Sequence, residues 1–189
     1  MKTIFLAAFC AALTVPSFAQ HPTAEAPGDK HRTTHLANPP VAGISEAEAV
    51  AVLDLVNQDE IAFAQKAVEK SKNEEVLAFA RQMIVDHGEN RRKLGEIGIQ
   101  PANGELSNKL RDKHLGISRK LDRAEGSDFD RAYIGAMVDG HNGLLEKIDK
   151  KLAPAAKTAA LATHVQDTRP VVEAHLEHAR RIKRGLGTK

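Results

Sequence analysis

Four apolar helical rows along this chain are each interrupted by one ionisable residue: Glu60, His87, His141 or His175. Glu60 follows Leu53 in its row, His87 lies between Met83 and Leu94, His141 between Met137 and Ile148, and His175 between Val172 and Ile182. Apolar residues recurring at steps of three, four and seven share one helix face, so each ionisable side chain is aimed where a core belongs. An unpaired polar group there costs roughly 2–7 kcal/mol. The four groups must meet one another or hold something else. A bundle of long helices with a polar layer across it allows this.

The helix boundaries follow from capping residues. Ser45 and Glu48 form a capping box that starts a first helix running to about Lys72, with Val50, Leu53, Val56, Ala64, Ala67 and Val68 inside. Asn73 caps a second, with Glu74 and Glu75 in its first turn, which ends at Gly98 before Pro101. Residues 106–121 form a shorter amphipathic helix closed by Gly126. Ser127 or Asp128 then caps a third long helix that runs to about Leu152 and stops near Pro154. The last spans about residues 155–184, with a kink expected at Pro170. No strand candidate of useful length stands in the chain. The expected fold is all-α, an antiparallel four-helix bundle over residues 44–184 with one extra short helix in the crossover, and 185–189 as a tail.

Residues 1–19 read as a secretory signal peptide: Lys2, an apolar stretch over 4–15, and Ser17-Phe18-Ala19 as a cleavage site before Gln20. That stretch is shorter than the roughly 20 residues of a membrane-spanning helix. Cys10, the single cysteine, lies inside it after Phe9, a setting that does not fit lipid attachment. The mature protein is expected to be cysteine-free, with no disulfide and no thiolate chemistry. Residues 20–43, carrying Pro22, Pro27, Pro39 and Pro40 without apolar period, read as a disordered tether, and His21, His31 and His35 are too sparse for a metal-binding tail. Lys and Arg total 27 against 25 Asp and Glu. Nucleic-acid binding would need a concentrated basic face instead. The one cationic cluster, Arg180, Arg181, Lys183 and Arg184, complements a helix C-terminus.

Heights can be compared across a tight turn. With the first turn near Lys72 and Asn73, Glu60 stands opposite about residue 85, within about 3 Å of His87 along the axis. Asp86 sits at the edge of the same face. With the second turn near Pro154, His141 stands opposite about residue 167, so His164 and Asp167 match its height better, and His175 is expected roughly 12 Å away. His175 is then assigned to a second polar level with His178.

The segments Asp59-Glu60-Ile61, Val76-Leu77-Ala78-Phe79-Ala80, Asp86-His87, Phe129-Asp130-Arg131-Ala132-Tyr133 and His141, with Pro170 followed by His175, stand in a characteristic order. Together they resemble an exported bacterial family of ferritin-like proteins, domain of unknown function 4142, often named predicted outer membrane protein. The resemblance covers about residues 44–184. It implies a ferritin-like bundle and a periplasmic or outer-membrane-associated place, and no activity. Di-iron bundles carry Glu-x-x-His pairs, whereas Ile84, Val138 and Val172 stand three before the three histidines here. The nearest alternative is His175-x-x-His178.

Two readings follow. We take first a non-enzymatic structural or interaction protein, in which Glu60, Asp86, His87, His141 and His175 form a hydrogen-bonded layer joined by Asp130 and Tyr133. The second takes the same five residues as a site for zinc, copper, nickel or iron. An enzyme ranks third, because no nucleophile elbow, phosphate loop or His-Glu-x-x-His occurs. Expected partners are an unidentified protein or a second copy, without nucleic acid and without a transmembrane segment.

Overall fold

Polar caps and two glycines with positive φ cut the chain into five helices: α1 Glu46–Lys70, α2 Glu74–Glu96, α3 Glu105–Arg123, α4 Gly126–Lys147 and α5 Ala159–Leu186. The computed structural model describes residues 43–187, and no strand occurs among them. The expected signal peptide and all but the last residue of the expected tether lie outside the described residues. No described helix is long and apolar enough to cross a membrane.

The caps depart from expectation in an informative way. Ser45 accepts the Glu48 N–H at 3.1 Å, but Glu48 does not complete the box. Its carboxylate reaches the Leu106 N–H, 2.8 Å away, and so caps α3. A Cβ on Gly104 would lie 2.2 Å from that carboxylate, so only glycine admits it. Glu46 does the same for α5, accepting the Lys157 and Thr158 N–H groups at 2.7 Å each. One turn of α1 thus supplies acceptors to the orphan donors of two other helices. Asn73 caps α2 as expected, through the N–H groups of Glu75 and Val76. Gly126, φ +53°, opens α4 rather than closing α3, and Glu125 holds the cap position assigned to Ser127 or Asp128.

Pro154 does not stop the fourth helix at Leu152. Beyond Lys147 the helix widens into a π turn, Ile148–Leu152, and ends in one further turn, Ala153–Ala155, that contains Pro154. The Ala153 N–H reaches back five residues to the Ile148 carbonyl. A wider turn makes room where the proline ring would strike the carbonyl four residues earlier. The link to α5 therefore falls at residues 156–158, not at Pro154. Pro170 lies inside α5 without ending it.

α1 pairs with α2 and α4 with α5, α3 lies across α1 and α4, and α2 also meets α5 as α1 meets α4. The buried apolar side chains form two clusters. One gathers around Phe79, Met83, Phe129, Tyr133 and Ile134, the other around Val52, Leu53, Leu144, Ile148 and Leu161. Every long helix passes from one cluster to the other, and each does so at its ionisable residue. Leu53 and Phe63 flank Glu60, Met83 and Leu94 flank His87, Met137 and Leu144 flank His141, and Val172 and Leu176 flank His175. The polar layer is a septum between two apolar halves.

Candidate metal centre

Each of the four long helices delivers one buried ionisable side chain to the septum. A ring nitrogen from each of His87, His141 and His175 lies within 4.8 Å of those of the other two. The ring centroids are 5.4 to 6.0 Å apart. Glu60 Oε2 is 3.2 Å from His87 Nε2 and 3.4 Å from His141 Nε2.

The hydrogen bonds behind each ring fix its tautomer. His141 Nδ1 lies 2.8 Å from the Met137 carbonyl, which can only accept, so the proton is on Nδ1 and Nε2 is a bare lone pair. His175 Nε2 donates in the same way to Asp86 Oδ2 at 2.8 Å, leaving Nδ1 bare. For His87 the direction comes from a chain of three further bonds. The His164 carbonyl accepts the Thr168 hydroxyl (2.7 Å), Thr168 Oγ1 accepts from the Asn90 amide (2.7 Å), and Asn90 Oδ1 accepts from the Asn57 amide (2.9 Å). Asn57 Oδ1 is then free to accept from His87 Nδ1 at 2.9 Å, which leaves Nε2 bare. The three bare nitrogens and Glu60 Oε2 are all buried atoms without a hydrogen-bond partner. Such orphans are rare in native interiors. Here Glu60 Oε2 stands beside two of the orphaned nitrogens, and the three rings lie together.

Burial pushes the Glu60 carboxyl up, but the positive charge that His141 and His87 carry when protonated, with the hydrogen bond His87 then donates, more than reverses this and holds it down at about 2. Burial lowers the His175 imidazole, Asp86 opposes that through its hydrogen bond, and His87 and His141 reinforce it. The layer therefore combines a carboxylate anion with an imidazole that resists protonation. Gly140, next to His141, lets α4 approach the carboxylate, since a Cβ there would lie 3.3 Å from Glu60 Oε1. Beside His87 and His175 is a cavity of about 10 Å³ walled by Leu53, Val56, Leu144 and Val172, close to the space of one small occupant.

The structure brings together Glu60, His87, His141 and His175, and it sets Asp86 one step outside them, behind His175. The separate level assigned to His175 is corrected. With the α4–α5 link at 156–158, the residue opposite His141 moves from 167 to about 173, two residues from His175. His164 lies elsewhere, its carbonyl receiving Thr168, and His178 stands edge-on to Phe79 at 5.1 Å. Tyr133 and Asp130 do not join the layer by hydrogen bonds; the Tyr133 hydroxyl and Asp130 Oδ1 are themselves buried without partners. Sequence reasoning missed Asn57, Asn90 and Thr168. Asn57 had a signal, a polar residue one turn before Glu60 on the same apolar face.

Comparison with known proteins adds family and fold. A family model described as a domain of unknown function (DUF4142) matches residues 30–182. No curated protein matches the chain. A solved structure described as "CopM in the Cu(II)-bound form" is similar at 14% identity, with a TM-score of 0.59, over 76% of this chain and 99% of that one. At that identity the likeness is one of fold.

Proposed function

We propose that this chain, which belongs to the DUF4142 family and takes no activity from that name, binds one transition-metal ion through His87, His141, His175 and Glu60. The observation that carries this is a ring nitrogen from each of three long helices lying within 4.8 Å of the other two, with the orphaned Glu60 Oε2 of the fourth beside His87 and His141. Metal-ligating histidines characteristically donate their second nitrogen to a carbonyl, amide or carboxylate, and Met137, Asn57 and Asp86 serve all three rings here.

Three neutral imidazoles and one carboxylate suit zinc(II), copper(II), nickel(II) or iron(II). The similar solved chain is described with Cu(II) bound, which makes copper the first ion to test. Four protein ligands close the coordination sphere, which supports holding or carrying an ion over catalysis on one. Asp86 orients His175 in this reading and does not touch the ion. The ferritin-like four-helix bundle, and export to the periplasm or outer membrane through residues 1–19, belong to the same proposal.

A register-fixing role is favoured by a different observation, the hydrogen-bonded chain from His87 through Asn57 and Asn90 to Thr168, which links α1, α2 and α5. Titration of untagged, chelator-treated protein with copper(II) and zinc(II) separates the two. One ion per chain is expected, with a melting temperature raised in wild type and not in His141→Ala or Glu60→Gln. Unchanged melting in wild type would leave only the register role.

A further inference from the structure

The buried histidines need a way in, and one side of the molecule supplies it. An open groove of about 500 Å³ runs between α2 and α5, lined by Asp86, Asn90, His164, Asp167 and His175 among others. The small inner cavity beside His87 shares Asp86, Asn90, Thr168, Val171 and His175 with this groove. The Asp86–His175 and Asn90–Thr168 hydrogen bonds join residues that line both spaces. Asp86 itself is 32% exposed while His175 is 3% exposed, so this pair leads from solvent to a member of the septum. Pro170 stands in the groove wall and provides no N–H to the carbonyl four residues earlier, which leaves that wall one backbone bond short.

A second orphan lies on the same route. His164 is 8% exposed, and its Nε2 is buried without a partner. Asp167, three residues on and so on the same face, is exposed and belongs to no ion pair among the described residues. Lys93 stands on the facing wall, paired to Glu89 at 3.6 Å. His164, Thr168 and His175 follow one another along α5 at steps of four and seven, which makes one stripe from the capture pair to the buried ring.

We infer that the α2–α5 groove is the loading route for a divalent transition cation, with His164 and Asp167 as a transient capture pair and the Asp86–His175 contact as the door to the septum. This rests on the reading of Glu60 and the three histidines as a metal site. The capture pair offers one imidazole and one carboxylate, enough to draw an ion from water and too few to keep it.

Stopped-flow loading of the full chain with cobalt(II) chloride at low ionic strength tests the route, read by the visible absorption of the bound ion. His164→Ala and Asp167→Asn should each slow loading about tenfold, the scale of local electrostatic focusing, while the saturated spectrum and one-to-one stoichiometry stay as in wild type. Ala174→Trp, which fills the groove without removing a ligand, should slow loading as well. Glu146→Gln, on the exposed face of α4, should change nothing. Wild-type rates in all three groove variants, with binding intact, would overturn the route alone. An altered saturated spectrum in His164→Ala would also overturn it, by making His164 part of the final site. Failure of wild type to take up cobalt would instead remove the buried site, and the route with it.

Discussion

Which nitrogen of each histidine carries the proton is decided by what stands behind the ring, and that choice decides what the ring offers in front. His141 is set by its own helix through Met137, His175 by α2 through Asp86, and His87 by a chain that ends on the His164 carbonyl. Asn57→Ala should therefore free the His87 tautomer and weaken metal affinity by roughly 10–100-fold, the usual effect of losing an outer-shell partner. Calorimetric titration with copper(II) reads it, and unchanged affinity would mean that Asn57 does not orient the ring. Gly140→Ala should also weaken binding, because the new methyl presses on the Glu60 carboxylate; alanine's better helix propensity, about 1 kcal/mol, keeps the metal-free protein folded. Protons should compete with the fold. Burial holds His164, His175 and His178 below their ordinary imidazole range, so the unfolded chain binds more protons between those lowered values and about 6.5. Metal-free stability is then full above about pH 6.5 and falls as pH drops through that window. Thermal melts from pH 7.5 to 5 should show the decline, and a flat profile would contradict the buried neutral imidazoles.

At the scale of helices, the pairing of Glu60 with His87 was legible because α1 and α2 are joined by only three residues, Ser71 to Asn73, and a tight link fixes heights. His175 was not legible, because Pro154 reads as a stop. In the molecule it sits in the last turn of a helix already widened to receive it, and that moves the second link by three residues. No pattern of apolar spacing announces a π turn. Glu48 misled for a related reason. Its place three residues after Ser45 fits a local cap, and only the fold brings Leu106 within its reach. Gly104→Ala tests that cap. The added Cβ would displace Glu48 from the start of α3, at a cost of about 0.5–2 kcal/mol, the range for losing an N-terminal cap. Urea denaturation should find Gly104→Ala and Glu48→Ala less than additive when combined, since both remove one contact. Full additivity would separate the two residues.

For the whole molecule, the septum is the dominant fact, and the sequence carried it openly, as four apolar rows each broken once. What the sequence did not carry is that the breaks converge on atoms with nothing to bond. Converting Glu60 and His87 together to leucine should join the two apolar halves, abolish metal binding and leave the metal-free protein as stable or more so, by about 1–4 kcal/mol, as for other buried polar networks replaced by apolar groups. A double variant that fails to fold would mean that the layer is required for assembly. The same division has a consequence for how the protein reports its own cargo. Phe79 and Ile134 belong to one half, and Val52 and Leu161 to the other, with Leu145 touching both. An ion gripped by all four long helices would rivet these halves into a single cooperative unit, whereas the empty protein is free to open one half ahead of the other. Occupancy would then be written into the amide-exchange pattern: two families of protection factors when empty, one when loaded.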